Sequence, residues 1–147
     1  HLFRMGREEE TYTAGKKRLT VEWKGWRICP QVCYDLRFPV WSRNVEHYDL
    51  LIFIANWPQR RNMPWKILLQ ARAIENLAYV IGLNRVGNDG NEIYHSGDSS
   101  IIDPAGEILF QQPHKEVSHT ITLSKNKLKE IRKNLPFLQD ADKFEIV

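Results

Sequence analysis

Hydrophobic and polar positions alternate from the outset of the apolar part of the chain. Leu19-Thr20-Val21-Glu22-Trp23 has the period of a half-buried strand. Lys24-Gly25 predicts a turn. In the stretch that follows, Trp26, Ile28, Pro30 and Val32 share one face, and Arg27, Cys29, Gln31 and Cys33 share the other. The pattern is that of a hairpin. Pro39-Val40-Trp41-Ser42-Arg43-Asn44 reads as a short helix or turn. Residues 49–55 (Asp-Leu-Leu-Ile-Phe-Ile-Ala) are apolar on both faces, as for a central strand covered on both sides. That run stops at Asn56-Trp57-Pro58 and a polar loop, 59–62. Pro64 suits the first turn of a helix, and Ile67, Leu68, Ala71, Ile74 and Ala78 recur at helical spacing. A second apolar strand is expected over 79–83.

Beyond it the pattern weakens. Residues 84–97 read as loop, broken by Gly87, Asp89-Gly90 and Gly97. Residues 99–102 and 107–110 flank Asp103-Pro104-Ala105-Gly106, a strong turn signal, and predict a hairpin. Residues 117–123 alternate again, as for another strand. Ser124 is a suitable cap for a last helix over 125–135, stopped before Pro136. From Asp140 a tail is expected to pack on another subunit. Without an internal repeat or low-complexity linker, residues 1–147 read as one domain of layered α/β class with a mixed sheet. Ligands of such sheets bind at the carboxyl ends of strands. Two predicted strands end in unusual residues, Cys33-Tyr34-Asp35 and Asn56-Trp57-Pro58. If these strands are neighbours, the thiol and Trp57 face one crevice.

Composition narrows the function classes. Hydrophobic content of 42% and charged content of 27% fit a globular protein. No apolar run approaches the roughly 20 residues of a membrane helix, and charges break any leader-like run at the start. A net charge of +3, with the signs interspersed, argues against a nucleic-acid footprint. If Cys29 and Cys33 lie on one strand, roughly 13 Å separates them, beyond the about 7 Å a disulfide tolerates. Two free thiols fit a reducing, cytoplasmic compartment. The five histidines show no ligand spacing with them, so no metal or other cofactor is expected.

A thiol at a strand end beside a sharp turn is placed for nucleophilic chemistry. It needs a base or positive charge to form thiolate and N–H donors for a developing oxyanion. The turn after Cys33 would aim the Tyr34 backbone N–H at such an oxygen. The competing reading is a buried, inert cysteine; Cys29, mid-strand, fits that better.

The ordered set Cys33-Tyr34-Asp35-Leu36-Arg37-Phe38-Pro39, Ala55-Asn56-Trp57-Pro58, Ala71-Arg72-Ala73-Ile74-Glu75-Asn76, Asn84-Arg85-Val86-Gly87, Gly97-Asp98-Ser99 and Asp103-Pro104-Ala105-Gly106-Glu107 resembles the nitrilase superfamily of carbon–nitrogen hydrolases. The nearest likeness is to its omega-amidase-like branch. The resemblance implies an αββα sandwich, a homodimer, and a small-molecule carboxamide as substrate, such as the omega-amide of a 2-oxo dicarboxylic acid. It implies Cys33 as nucleophile, a cysteine thioester intermediate, and the Tyr34 N–H as an oxyanion donor. The family's lysine precedes a segment like His1-Leu2-Phe3, and its base glutamate lies far earlier. Neither position falls within these residues. The resemblance therefore implies the C-terminal part of the domain, an N-terminally incomplete portion that is inactive alone. A non-catalytic interaction module is the alternative.

The family has a second glutamate, seven residues before a glycine. Glu8 has that spacing to Gly15 and takes this role: orienting either the substrate amide or the family's lysine, and sharing proton transfer. Glu9 and Glu10 compete for it. Asn56 and Trp57 are assigned to the substrate pocket, although a core position suits Trp57 equally. Asp35 and Arg37 are expected to fix the elbow by pairing, and Arg72 to pair with Glu75. Arg4, Arg60 and Arg61 are alternatives for holding a substrate carboxylate.

Overall fold

The computed structural model describes residues 1–145. Seven strands join in one mixed sheet. β1 (Val21–Trp23) and β2 (Trp26–Val32) form the expected hairpin, with Trp23 opposite Trp26. Both turn residues have positive φ, Lys24 at 48° and Gly25 at 75°. That is the two-residue turn whose twist matches paired strands. β3 (Leu50–Ala55) runs parallel to β2, and β4 (Tyr79–Asn84) runs parallel to β3. β5 (Val86–Asn88) and the long β6 (Tyr94–Ile102) are antiparallel, as are β6 and β7 (Ile108–Pro113). β6 also pairs antiparallel with β4, so the order is β1-β2-β3-β4-β6-β5 with β7 beside β6. The helices are α1 (Pro39–Ser42), α2 (Asn62–Asn76) and α3 (Lys125–Asn134).

α2 covers one face of the sheet. Trp65, Leu69 and Ala73 from the helix pack with Cys29, Leu51, Phe53 and Val80 from the strands. Gly82 sets the distance: a Cβ there would stand 2.4 Å from Leu69 Cδ1 and 2.9 Å from Trp65. The hydrogen lets the helix settle onto β4. This explains why the helix is rotated from the expected stripe. Trp65, Leu69, Arg72, Ala73 and Asn76 are buried, whereas Ile67 and Ile74 are 56% and 49% exposed. Ala78 lies past the helix, which ends at Leu77 with φ of 41°. Arg72 pairs with Glu75 at 2.9 Å, as the spacing predicts, and sends Nη2 to the Leu36 carbonyl.

The other face is covered at one end only. Leu128 of α3 packs on Leu50 and Tyr79. Asp49 binds Lys125 and Arg132, and Arg132 also donates to the Leu77 and Tyr48 carbonyls. Ser124 caps α3 by accepting from the Lys127 amide at 3.1 Å. Toward the carboxyl ends of the parallel strands, Val32, Ile54 and Leu83 stay exposed. β3 is thus central in the sheet but not covered on both sides along its length, as the doubly apolar pattern predicts. The described residues hold one sheet, and the second sheet of an αββα sandwich has no counterpart among them.

Two expectations fail locally. The stretch 84–97 is not simply loop: β5 pairs with the start of β6, and Asp89 folds the connection by accepting from the Asn91 and Ile93 amides. Residues 117–123 form no strand, because none of their backbone joins a ladder. Their alternation reflects packing, with Ile121 and Leu123 half-buried and Val117 half exposed. Residues 146–147 of the tail expected to contact a partner lie outside the described residues, and among those described no helix is long and apolar enough to cross a membrane.

Gly82→Ala is expected to lower unfolding stability by about 1–3 kcal/mol through overpacking. Urea denaturation followed by tryptophan fluorescence checks this; an unchanged midpoint would contradict the tight helix–sheet contact.

Candidate active site

β2 ends at Val32, and the chain enters a single helical turn, Cys33–Arg37. Cys33 has φ of 40°, in the left-handed region. A non-glycine residue held there stores about 1–3 kcal/mol and persists only when its surroundings enforce it. Asp35 does so. Its carboxylate reaches back to accept the Val32 amide at 3.0 Å, closing the bend. The His1 ring nitrogen Nδ1 lies 2.8 Å from the other carboxylate oxygen. Arg72 clamps the far side of the turn through the Leu36 carbonyl at 2.6 Å. The expected Asp35–Arg37 pair is absent. Arg37 instead lies 5.0 Å over the Trp57 ring, because Asp35 turns inward while Arg37 is exposed.

The two unusual strand ends are brought together as the sequence suggests. In the β2–β3 register Val32 stands opposite Ile54, so the next residues of each strand converge. The Asn56 backbone amide comes beside the Cys33 sulfur and favours its thiolate. Asn84 holds that loop in place: its side chain accepts from the Trp57 amide at 2.7 Å and donates to the Trp57 and Gly97 carbonyls. Sequence reading places Asn84 in a family motif without a role. The signal that could have found it is an amide side chain at the end of the strand next to β3.

A cleft of about 960 Å³ opens over this junction, lined by Cys33, Tyr34, Glu8, Asn56, Trp57 and Arg61 among others. All the assigned residues therefore border one space. Glu8 is half-buried and tethered, one carboxylate oxygen accepting the Phe3 amide at 2.7 Å. Glu9 is exposed, and Glu10 is occupied by Arg7 at 2.7 Å. Trp57 borders the cleft, yet it is only 4% exposed and belongs to the core with Trp65. Its ring is a core ring with an edge on the cleft. Tyr34 sits in the first residues of the helical turn, where N–H groups have no intrahelical partner. Its ring packs edge-on against Phe3 and Phe38. His95, which sequence reading passed over, is buried at the cleft wall, with Nδ1 2.9 Å from the Ile93 carbonyl.

Burial is the main influence on the Cys33 thiol and pushes its pKa above the ordinary value. The Asn56 amide opposes this, Glu8 adds to it, Arg61 opposes it and Asp35 adds to it. At rest the thiol is protonated at neutral pH. Cys29 is fully buried and also pushed up, chiefly by burial.

Comparison with known proteins agrees with this geometry. The carbon-nitrogen hydrolase family matches residues 1–133, and the chain belongs to that family. It is 54% identical over 147 residues to the omega-amidase YafV of Escherichia coli K12, covering 99% of this chain and 57% of that protein. It is 35% identical over 146 residues to the 2-oxoglutaramate amidase of Bacillus subtilis, covering 97% of this chain and 56% of that one. The chain thus spans little more than half the length of these relatives. The crystal structure of a CN-hydrolase superfamily protein from Xanthomonas campestris, which carries an arsenic adduct in its active site, superposes with a TM-score of 0.97 at 50% identity. That match covers 100% of this chain and 58% of the other.

Iodoacetamide is expected to label Cys33 slowly at pH 7, and faster as pH rises, with no plateau until above the ordinary thiol range. Cys29 should label only after denaturation. Peptide mass spectrometry at graded pH reads both; rapid, pH-independent labelling of Cys33 at pH 7 would contradict the raised pKa.

Proposed function

We propose that this chain carries the nucleophile of a carboxamide hydrolase that converts a small amide to its acid and ammonia. The observation that carries the reading is Cys33 itself: a thiol on a strained backbone at the carboxyl edge of a parallel strand, lining one cleft with Asn56 and Glu8. The relatives' names support the omega-amide of a 2-oxo dicarboxylic acid as substrate. The arsenic adduct in the related active site is consistent with a soft thiolate ligand there. Family membership favours an enzyme over a non-catalytic module, and the relatives lend no support to an inactive chain.

In the proposed mechanism the Cys33 proton leaves as sulfur attacks the amide carbonyl, because a thiol with a raised pKa needs its base during the step. The carbonyl electrons move onto oxygen, and the Tyr34 N–H faces that oxyanion. The carbonyl reforms as the C–N bond breaks, and nitrogen takes a proton and departs as ammonia. Water then adds to the thioester, the C–S bond breaks, and the acid leaves with the thiol restored. Glu8 has one carboxylate oxygen free of the Phe3 amide. It orients the substrate amide and shares in proton transfer. Asn56 and the edge of Trp57 wall the acyl chain. Two unpaired cysteines favour the cytoplasm as the location, and a homodimer is the assembly the family resemblance implies.

The test is ammonia release from 2-oxoglutaramate. Cys33→Ala is expected to lower turnover by at least about 10³-fold, and Glu8→Gln to lower kcat by about 10²-fold or more. Undiminished turnover in Cys33→Ala would remove the thiol from the mechanism.

A further inference from the structure

Cations crowd one side of the cleft without matching acids. Arg37, Arg60 and Arg61 all line it, and among the described residues none of the three forms an ion pair. The acids nearby are committed or differently placed: Asp35 to the Val32 amide and His1, Asp89 to its own loop, and Glu8 to the Phe3 amide through one oxygen. Arg18, also on the lining, is consumed by the Trp41 and Arg43 carbonyls and Glu46. Arg4 does not line the cleft.

Within the trio, Arg61 differs from its neighbours. It is half-buried, whereas Arg37 and Arg60 are exposed. Its backbone is pinned on both sides: the amide donates to the Pro58 carbonyl at 2.9 Å, and its own carbonyl accepts from Trp57 Nε1 at 2.6 Å. Its guanidinium lies 5.2 Å over the Phe3 ring, which fixes the plane of the fork. Arg60 and Arg37 bear on Arg61, whose charge in turn reaches Cys33. A buried-edge guanidinium with like charges around it and no anion is a receptor awaiting one.

We propose that Arg61 selects anionic substrates by receiving the carboxylate at the end of the acyl chain remote from the reacting amide. Four carbon–carbon bonds span about 5 Å, and a bidentate contact adds about 3 Å, which sets the separation the proposal requires. Arg61 and Cys33 line the same cleft, and the Arg61 charge acts on the thiol. Arg37 and Arg60 raise the local positive field but stay hydrated at the mouth. The assignment rests on the amidase reading for the substrate's identity; the receptor itself is testable without turnover.

The probes are iodoacetate and iodoacetamide, which alkylate the same sulfur and differ in charge. The ratio of their rates at Cys33 cancels any change in thiolate fraction. Iodoacetate carries its carboxylate on the reacting methylene itself and so feels Arg61 as charge. Arg61→Gln is expected to lower the iodoacetate-to-iodoacetamide ratio about two- to threefold, Arg61→Lys to leave it near the parent value, and Arg4→Gln to leave it unchanged. Glutarate, which spans the remote position, is expected to protect the parent but not Arg61→Gln. In turnover, Arg61→Gln should raise KM for 2-oxoglutaramate about tenfold or more while leaving KM for butyramide within about twofold. If Arg61→Gln unfolds, Arg61→Lys together with competition by glutarate against alkylation decides. An alkylation ratio that does not move in Arg61→Gln, or glutarate that protects the Arg61 variants as well as the parent, would overturn the proposal. An Arg61-dependent ratio combined with Cys33-independent turnover would sink the amidase reading and leave the receptor standing.

Discussion

The site depends on one short tether, the Asp35 carboxylate on the Val32 amide. A strand that simply continued would carry Cys33 along the sheet. The tether folds the chain back within three residues and makes Cys33 adopt a left-handed conformation that an L-residue avoids. The strain is offset by packing beneath: Leu36 is fully buried, and Arg72 from α2 grips its carbonyl. The helix that closes the core therefore also braces the elbow. That coupling makes α2 part of the site without placing a residue of it against the thiol.

The second constraint is register. Parallel pairing of β2 with β3 puts the Val32 and Ile54 ends side by side, so the elbow meets the Asn56 loop. Asn84, at the end of β4, then spans three backbone groups to hold that loop. Three adjacent strands thus each contribute one piece at their carboxyl ends: the thiol, the Asn56 loop beside it, and the clamp. This is the position where parallel α/β sheets bind ligands.

Electrostatically the cleft is divided. Burial opposes ionisation of the thiol, and Glu8 adds to that opposition, while the Asn56 amide and Arg61 favour the thiolate. That balance leaves the resting thiol protonated at neutral pH. Cys29, buried among Leu51 and Phe53 with the Gln31 side-chain amide 3.8 Å from its sulfur, does not line the cleft and shows the same residue type doing ordinary packing.

Much of this was legible in the residues themselves. The turn chemistry of Lys24-Gly25 and Asp103-Pro104-Ala105-Gly106, the cap at Ser124 and the apolar runs that became β3 and β4 depend on local propensity and periodicity, which sequence carries directly. The position of Cys33 at a strand end was legible for the same reason, whereas its motif and the spacing of Glu8 to Gly15 stood out only through the family resemblance. Other features depend on what lies opposite. The buried stripe of α2 followed Gly82 on a distant strand; β5 formed because β6 offered an edge; residues 117–123 alternated without pairing because no edge was offered. Arg37 left Asp35 for the face of Trp57, and Arg61 stood out from Arg4 and Arg60 only once burial and the Phe3 ring were seen. By itself the sequence determined which residues are candidates for the chemistry and the local bends that present them. Tertiary structure decided which of them share a cleft, because register, burial and the absence of a counter-charge are properties of neighbours that a linear pattern does not contain.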